Sequence, residues 1–178
     1  QDAAGQQFIF YDLIYGGYGG QASKDGEEAL TPVFNAANIP VEVHEHQSPI
    51  RVLRMELIAD SGGAGRQRGG CGLRKDVELL APSGRVSLSG DRHRFAPPGA
   101  KGGRPGQVGR TILNPDGEAR VLGSKAVVEM AEGDVLSIQL SGAGGFGPPE
   151  DRNPAAVRND IANGYISAEA AERDYQVK

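Results

Sequence analysis

Residues 60–72 combine side chains that could hold an anion with a backbone that could approach one closely. Their sequence, DSGGAGRQRGGCG, contains six glycines, and Arg66 and Arg68 stand between the glycine pairs. Glycine loses more backbone entropy on folding than any other residue, so a dense cluster indicates positive φ angles or close backbone contact. Arginine presents a planar fork of donors to carboxylate, phosphate or carbonyl groups. The stretch predicts either an anion or substrate loop, or a tightly folded turn where subunits meet.

Known phosphate-binding motifs do not fit this glycine pattern. The dinucleotide fingerprint requires G-x-G-x-x-G between a strand and a helix, whereas Gly63 and Gly65 are followed by glycine only at position 69, one residue late. Residues 123–125, Gly-Ser-Lys, lack the spacing of a P-loop. The sequence therefore predicts no nucleotide site of its own. Arg66 and Arg68 stay candidates for contact with a substrate or intermediate, beside the commoner role of tying loops together.

Glu42, His44 and His46 stand at alternate positions within and directly after residues 39–45, a segment typical of a β-strand. Alternate residues of a strand point to one face, so two imidazoles and a carboxylate would be available to Zn²⁺ or a similar ion. The alternative is a solvated or interface-facing strand edge, with the intervening valines facing inward. The three residues are thus candidate metal ligands with a structural alternative.

A second charged cluster, GDRHRF at residues 90–95, follows a predicted strand. Asp91 could pair with Arg92, with Arg94 or with an arginine of the glycine-rich stretch, and strand ends are common places for functional sites. Asp91 and Arg92 therefore join the two arginines above as candidate contacts for a substrate or intermediate. The alternative is an internal salt-bridge network that supports the following loop.

The single cysteine, Cys71, lies among glycines and has no adjacent histidine to lower its pKa. We expect a small buried thiol there, not a nucleophile. One cysteine also excludes an internal disulfide. This suits a reducing compartment, so the expected location is the cytoplasm.

Short strands separated by glycine-rich turns predict a mainly β, α+β fold with a compact β body and a C-terminal helical hairpin. The predicted strands are residues 8–15, 39–45, 50–58, 73–80, 85–88, 111–113, 119–122, 126–130 and 135–140. A turn at residues 82–84 favours a hairpin between the fourth and fifth of these strands. Residues 95–109 are predicted to form a long loop.

The character of the sequence changes near the C-terminus. Asn153 as N-cap and Pro154 at the first helical position predict the start of one helix, and residues 163–164, Asn-Gly, predict its end. Ser167 is expected to cap a second helix. The sequence thus predicts a mainly β domain at residues 1–147 and a helical hairpin tail at residues 148–178.

Composition narrows the class of protein. A chain of 178 residues can bury one hydrophobic core, and a net charge of -4 argues against a general nucleic-acid binder. No apolar run approaches membrane-spanning length, and no signal peptide is visible in the first residues. The chain does not begin with Met, which suits a processed, truncated or partial polypeptide.

Ordered motifs along nearly the whole chain resemble the hydantoinase B/5-oxoprolinase family, which includes the large subunits of acetone-type carboxylases. The motifs are Tyr18 within its glycines, NIPVEV at 38–43, RVLR at 51–54, DSGGAGRQRGG at 60–70, GDRHRF at 90–95, GAKGG at 99–103, GDVL at 133–136, the glycines of 142–147, and residues 157–175. The resemblance implies the C-terminal portion of a longer subunit. The chain departs from the family pattern at His44 and His46.

The resemblance implies an ATP-dependent enzyme complex in which this chain is a small subunit or C-terminal fragment, inactive alone. The implied partners are a hydantoinase A-like subunit that binds ATP and Mg²⁺, the N-terminal portion of a hydantoinase B-like subunit that holds a divalent metal, and a small-molecule substrate. Neither nucleic acid nor a membrane is an expected partner.

Three functions stay open on the sequence. The first is part of a cyclic amidohydrolase of hydantoinase, 5-oxoprolinase or lactamase type, in which a carbonyl is phosphorylated and the ring C–N bond is hydrolysed. The second is part of an ATP-dependent ketone carboxylase, of acetone or acetophenone type. The third is a structural module that only completes the assembly. Arg66 and Arg68 are favoured as organisers of a subunit junction or cavity wall.

Overall fold

The computed structural model describes residue 5, residues 7–30 and residues 38–177. In chain order, its elements there are α1 (Val41–Gln47), β1 (Ile50–Ile58), β2 (Gly72–Leu79), β3 (Ser83–Ser89), β4 (Arg110–Leu113), β5 (Arg120–Leu122), β6 (Lys125–Ala131), β7 (Val135–Gln139), α2 (Pro154–Ala162) and α3 (Ala168–Tyr175). The predicted mainly β, α+β class is confirmed. None of the helices within these residues is long and apolar enough to cross a bilayer.

Within the described residues, seven strands are divided between two antiparallel sheets. The larger sheet has the order β1-β2-β7-β4-β5, and β3 pairs only with β6. The predicted hairpin between the strands that became β2 and β3 is therefore wrong. Both edges of β2 are already occupied, by β1 on one side and β7 on the other. The turn before β3 consequently carries the chain out of the larger sheet.

The main hydrophobic core lies between these two sheets. The strand register places Val77, Leu136 and Leu113 side by side across three strands of the larger sheet. They pack in one cluster with Val128 and Met130 of the smaller sheet. Residues on one face of a strand follow a period of two, so this core explains the alternating burial of β6.

Residues 8–15, predicted to be a strand, form no strand in the structure. Phe8 and Phe10 nevertheless pack against the main core. These residues are rich in aromatic and β-branched side chains, which favour a strand, but a strand also requires a neighbour for its backbone hydrogen bonds. No other described residue supplies one.

Residues 39–45 were also predicted to be a strand. That prediction is wrong, because residues 41–47 form the helix α1. The carbonyl oxygen of Pro40 accepts hydrogen bonds from the amides of Val43, at 3.1 Å, and His44, at 3.3 Å. Proline fits the start of a helix because its φ angle is already helical and its missing N–H is not needed there. These local bonds prevail over the weak strand preference of two valines.

The two C-terminal helices begin as predicted. The Asn153 side chain accepts from the Ala155 amide at 2.8 Å, and the Ser167 hydroxyl accepts from the Ala170 amide at 3.1 Å. Gly164, at φ +73°, turns the chain between the helices. Both helices form a second apolar cluster around the glycine-rich stretch, comprising Ala64, Val157, Ile166, Ala170, Ala171 and Tyr175.

Four segments without regular strands pack their backbones against one another; we call them the glycine bundle. They are residues 16–20, 60–72, 97–109 and 141–147, so the predicted loop at 95–109 is largely one member of it. Cross-segment bonds run from Gly70 N to Tyr18 O at 2.8 Å, from Gly63 N to Ala143 O at 2.7 Å and from Gly145 N to Arg104 O at 3.0 Å.

Glycine is required in this bundle because neighbouring backbones lie too close together for a Cβ atom. A Cβ at Gly17 would overlap the carbonyl of Gly70, and one at Gly69 would overlap the carbonyl of Ala143. Neither position has the positive φ angle that often explains glycine. The abundance of glycine in residues 60–72 therefore reflects close contact between backbones.

We predict that Gly17→Ala destabilises the protein by more than about 2 kcal/mol, because the added methyl meets rigid backbone. Gly19→Ala is the matched control, since a Cβ there lies no closer than 3.9 Å to the Gly144 carbonyl oxygen. Urea denaturation of both variants measures the difference. Equal unfolding free energies would contradict close packing at Gly17.

Candidate functional site

Arg68, at the centre of the glycine-rich stretch, is buried with 2% of its surface exposed. Its Nη2 donates to Glu28 Oε1 at 2.7 Å, and its Nη1 donates to the Gly69 carbonyl at 2.6 Å. The ring of Tyr165 lies 4.6 Å from the guanidinium carbon. The side chain is thus directed into the protein. This geometry favours a positioning role, and contact with a substrate stays a prediction.

Arg152 forms a second buried centre beside Arg68. Its guanidinium binds Asp25 in a bidentate pair at 2.6 and 2.8 Å, and also donates to Asp160 Oδ2 at 2.6 Å. Asp25 accepts in addition from the backbone amide of Arg68 at 2.7 Å. Asp160 lies 3.6 Å from the Arg68 Nε. Together with Glu28, these groups make one network, which we call the charge cluster.

The charge cluster joins four parts of the chain. Asp25 and Glu28 come from the loop after the first bundle segment, Arg68 from residues 60–72, Arg152 from the turn before α2, and Asp160 from α2 itself. Two guanidiniums thus face three carboxylates. Removing one partner of a buried ion pair costs about 3–5 kcal/mol, because the remaining charge loses its compensation. The cluster fixes the helix pair against the glycine bundle.

The pKa of Asp25 reflects this arrangement. Burial opposes ionisation of its carboxyl group, but the hydrogen bonds and positive charge of Arg152 and the Arg68 amide outweigh burial, and they hold the pKa below its ordinary value. The ionised form is therefore the one that the folded protein prefers.

Cys71 is fully buried, as predicted. Burial raises the pKa of its thiol, although the Arg68 guanidinium nearby opposes the shift. The sulfur accepts from Arg68 Nη1 at 3.7 Å and donates to the Tyr165 carbonyl at 3.5 Å. A protonated, enclosed thiol packs like a small apolar side chain.

Arg66, two residues before Arg68, is exposed. Its Nη2 donates to the Ala22 carbonyl at 3.1 Å, and its side chain lies against Gly147. A guanidinium has five N–H donors, so most of its donors are available to solvent or to an anion. Of the two arginines in the stretch, only Arg66 presents its charge outward.

Asp91 and Arg92 lie outside this network. Asp91 is paired with Lys125 Nζ at 3.1 Å, and its side chain is 91% exposed. The predicted pairing with Arg92, Arg94 or an arginine of residues 60–72 is therefore wrong. Lys125 begins the strand opposite β3, so it reaches the end of that strand more directly than any arginine does. Arg92 has a left-handed backbone, with φ +58°, and an exposed side chain.

The structure separates Glu42, His44 and His46. Residues two apart on a helix differ by about 200° in direction, so His44 is buried whereas the other two are exposed. The predicted common face, and the metal site built on it, is wrong because the segment is a helix. Within the described residues, no group of three or more histidine, cysteine, aspartate or glutamate side chains is placed to hold a metal ion.

His44 instead takes part in a small buried group with Asp12 and Lys75. Asp12 lies 2.6 Å from Lys75 Nζ and 3.5 Å from His44 Nε2. The ring of Phe10 meets the imidazole edge-on, with centroids 5.0 Å apart. Burial and the positive charge of Lys75 lower the pKa of His44, and Asp12 opposes them. The group attaches residues 8–15 to β2 and α1.

An open depression of about 560 Å³ lies between the turns at residues 114–118 and 132–135. Asp134 in its wall accepts hydrogen bonds from the Ala131 amide and the Asn114 side chain, and these bonds lower its pKa. None of the candidate site residues lines this depression.

Sequence reasoning missed most of the charge cluster. One signal was available: Asp160 lies three residues after Val157, on the face of α2 that the apolar residues share, and a charge on that face must be paired. Asp25 and Arg152 carry no such signal. They stand in polar loops, 127 residues apart, and only the fold brings them together.

We predict that Asp160→Asn lowers the unfolding free energy by about 3 kcal/mol or more, because two buried guanidiniums lose a shared carboxylate. Asp151→Asn is the matched control, since Asp151 is exposed in the neighbouring turn. Chemical denaturation at neutral pH compares the two. Similar small losses in both variants would show that the buried network contributes little.

The acid stability of the protein should depend on Asp25. Its folded pKa lies below its ordinary value of 3.8, so the unfolded state binds more protons, and the stabilisation is present above that value and is lost as pH falls below it. Asp25→Asn should reduce this loss between about pH 4 and pH 2. Urea midpoints measured across this range test the slope, and an unchanged slope would count against the pair with Arg152.

Comparison with known proteins confirms the resemblance seen in the sequence. The sequence model of the family described as hydantoinase B/oxoprolinase matches residues 1–149. The B-type subunit of a putative D-/L-hydantoinase from Pseudomonas sp. strain NS671 is 36% identical over 175 residues, covering 96% of this chain and 29% of that protein.

Two solved structures share the fold. The ATP-dependent caprolactamase from Pseudomonas jessenii superposes with a TM-score of 0.78 at 26% identity, over 91% of this chain and 29% of that one. A nucleotide-free acetone carboxylase gives a TM-score of 0.72 at 23% identity, over 90% of this chain and 26% of that one. At that identity, the second likeness concerns the fold alone.

The chain spans less than a third of the length of each of these three proteins. The match itself, however, extends over most of the chain and includes both the glycine bundle and the larger sheet. The chain therefore belongs to the hydantoinase B/oxoprolinase family.

Proposed function

We propose that this chain is the C-terminal portion of a B-type subunit, or a small subunit equivalent to it, in an ATP-dependent cyclic amidohydrolase. The observation that carries the proposal is the family match over residues 1–149. The names of two similar proteins, one a hydantoinase component and the other an ATP-dependent caprolactamase, support a cyclic amide as the class of substrate. Both names denote opening of a cyclic amide.

The chemistry requires activation, because the carbonyl carbon of an amide is a poor electrophile. Transfer of the ATP γ-phosphoryl group to the amide oxygen leaves ADP and an electrophilic carbon. Water then adds to that carbon, the ring C–N bond breaks, and phosphate is released. The phosphorylated species must be kept from bulk water until the intended attack.

This chain is suited to form part of an enclosing wall. The glycine bundle is dense and cross-linked by backbone hydrogen bonds, and the charge cluster holds the helix pair behind it. Arg66 is the residue we propose to face a phosphorylated intermediate, since its guanidinium is exposed and sparsely bonded. Arg68 positions that stretch from within. Asp91 and Arg92 are retained as proposed contacts at a second location.

The remaining groups belong, in this proposal, to other parts of the complex. ATP and Mg²⁺ are assigned to a hydantoinase A-like partner, and a divalent metal to the N-terminal portion of the B-type subunit. We propose a cytoplasmic location for the assembly. Residues of this chain are not assigned to bind ATP, Mg²⁺ or the divalent metal.

The proposal is tested by purifying the complex that contains this chain and measuring ADP formation with hydantoin, 5-oxoproline and caprolactam. We expect ATP hydrolysis that depends on at least one cyclic amide, with one ring opened for each ADP formed. A complex that turns over none of these rings would overturn the cyclic amidohydrolase assignment.

In that complex, Arg66→Ala should lower lactam-dependent kcat/KM by about tenfold or more, because a charge-assisted contact is lost. Assembly should remain normal. Arg85→Ala is the matched control, since Arg85 is also an exposed arginine and lies on the smaller sheet. Unchanged activity in Arg66→Ala, Asp91→Ala and Arg92→Ala would leave the chain a structural module.

A ketone carboxylase is the second candidate, because the family that the sequence motifs resemble includes the large subunits of acetone-type carboxylases. Such an enzyme activates a ketone as its enol phosphate and adds a bicarbonate-derived carbon. The same assay distinguishes the two reactions. ADP formation that requires both a ketone and bicarbonate would select the carboxylase, whereas bicarbonate has no part in lactam hydrolysis.

A further inference from the structure

Residues 8–15, FIFYDLIY, expose an unusual amount of apolar surface. Their outward side chains are Ile9, 93% exposed, Tyr11, 72% exposed, and Leu13, 50% exposed. Large apolar residues scattered singly on a surface are common, but three at alternate positions of one segment make a continuous strip. We call these three side chains the outer strip.

The inward side of the same segment is firmly held. Phe8 and Phe10 pack against the main core. Asp12 pairs with the buried Lys75 at 2.6 Å, and the ring of Phe10 meets that of His44 edge-on. The segment is therefore positioned on the body, with its outer strip held at the surface.

The backbone of this segment offers unused hydrogen-bonding groups. Residues 8–15 form no backbone hydrogen bond with another described residue, and the first such bond after them is Gly17 N to Ser141 O at 3.5 Å. A run of unpaired N–H and C=O groups is a template for another strand. Alternating side chains with an open edge are the features that β-strand addition uses.

We propose that residues 8–15 receive a β-strand from the N-terminal portion of a hydantoinase B-type subunit, and that this portion covers the outer strip. The inference rests on the proposed function for the identity of the partner. The hydantoinase component to which the chain is similar has 71% of its length outside the match. That length is ample for a body that supplies both a strand and an apolar cover.

A second copy of this chain fits the surface less well. Two copies could pair their open edges antiparallel about a twofold axis. Such pairing would satisfy the backbone, but it would place two outer strips side by side and leave both in water. Only a larger body satisfies the backbone and the apolar side chains together.

Hydrogen–deuterium exchange on the purified complex, compared with the isolated chain, tests the pairing. Amides within residues 8–15 should exchange rapidly in the isolated chain and at least about a hundredfold more slowly in the complex, because unpaired amides become bonded. A photo-crosslinking residue in place of Tyr11 should join a peptide of the B-type portion, whether that portion is a separate chain or part of the same polypeptide.

A charge on the outer strip should weaken assembly. If the two portions are separate chains, Tyr11→Asp should raise the dissociation constant of the complex by about tenfold or more. If they are one polypeptide, the same change should raise the equilibrium constant for unfolding in urea by about the same factor. Val127→Asp is the matched control, since Val127 is 66% exposed on the smaller sheet, and we expect a change below about twofold there. Circular dichroism of both variants confirms that the body remains folded.

Each outcome decides between the two proposals. A B-type portion in the complex, with residues 8–15 protected and cross-linked to it, supports the pairing. The same complex with these amides unprotected, or with the cross-link in a second copy of this chain, overturns the pairing and leaves the proposed function intact. A complex without A-type or B-type partners overturns both.

Discussion

Close contact between backbones is the constraint on which this structure depends. The four segments of the glycine bundle approach so closely that a single Cβ at Gly17 or Gly69 would enter a neighbouring carbonyl group. Where backbone meets backbone in this way, few side chains lie between the segments, so the apolar contribution of these contacts is small. The bundle therefore relies on its cross-segment hydrogen bonds and on the parts of the chain that fix its outer surface.

The charge cluster and the helix pair provide that fixation. Arg68 projects from the bundle into a pocket formed by Glu28, Asp160 and the ring of Tyr165. Arg152 extends the same network to Asp25. Because each carboxylate is held by an arginine, the buried charges are compensated. Residues 60–72, which look most like a ligand site in the sequence, are thus also the place where the glycine bundle is joined to the helix pair.

Much of the fold was accessible from the sequence, since strands β1–β7 and both helix caps follow local rules. Strand pairing was harder to predict from the sequence. The turn before β3 fits a hairpin with β2, but β2 has no free edge because it pairs with β1 and β7. The metal hypothesis failed because the Pro40 carbonyl starts a helix, which turns His44 away from Glu42 and His46. In the candidate site, Arg68 was identified, but its carboxylate partners come from loops and a helix that carry no local signature of each other.

The bond between Asp25 and Arg152 closes a loop of 127 residues. Closing a long loop costs chain entropy before the contact can repay it, so contacts of this kind tend to slow folding. A ribosome must also release every residue from Asp25 to Arg152 before these two side chains can meet. The four segments of the glycine bundle precede α2 in the chain. Until α2 is released, they must therefore either stay loosely packed or pack and separate again. In this order, the release of residues 152–175 is the step that fixes the glycine bundle, and before it the nascent chain depends most on its surroundings.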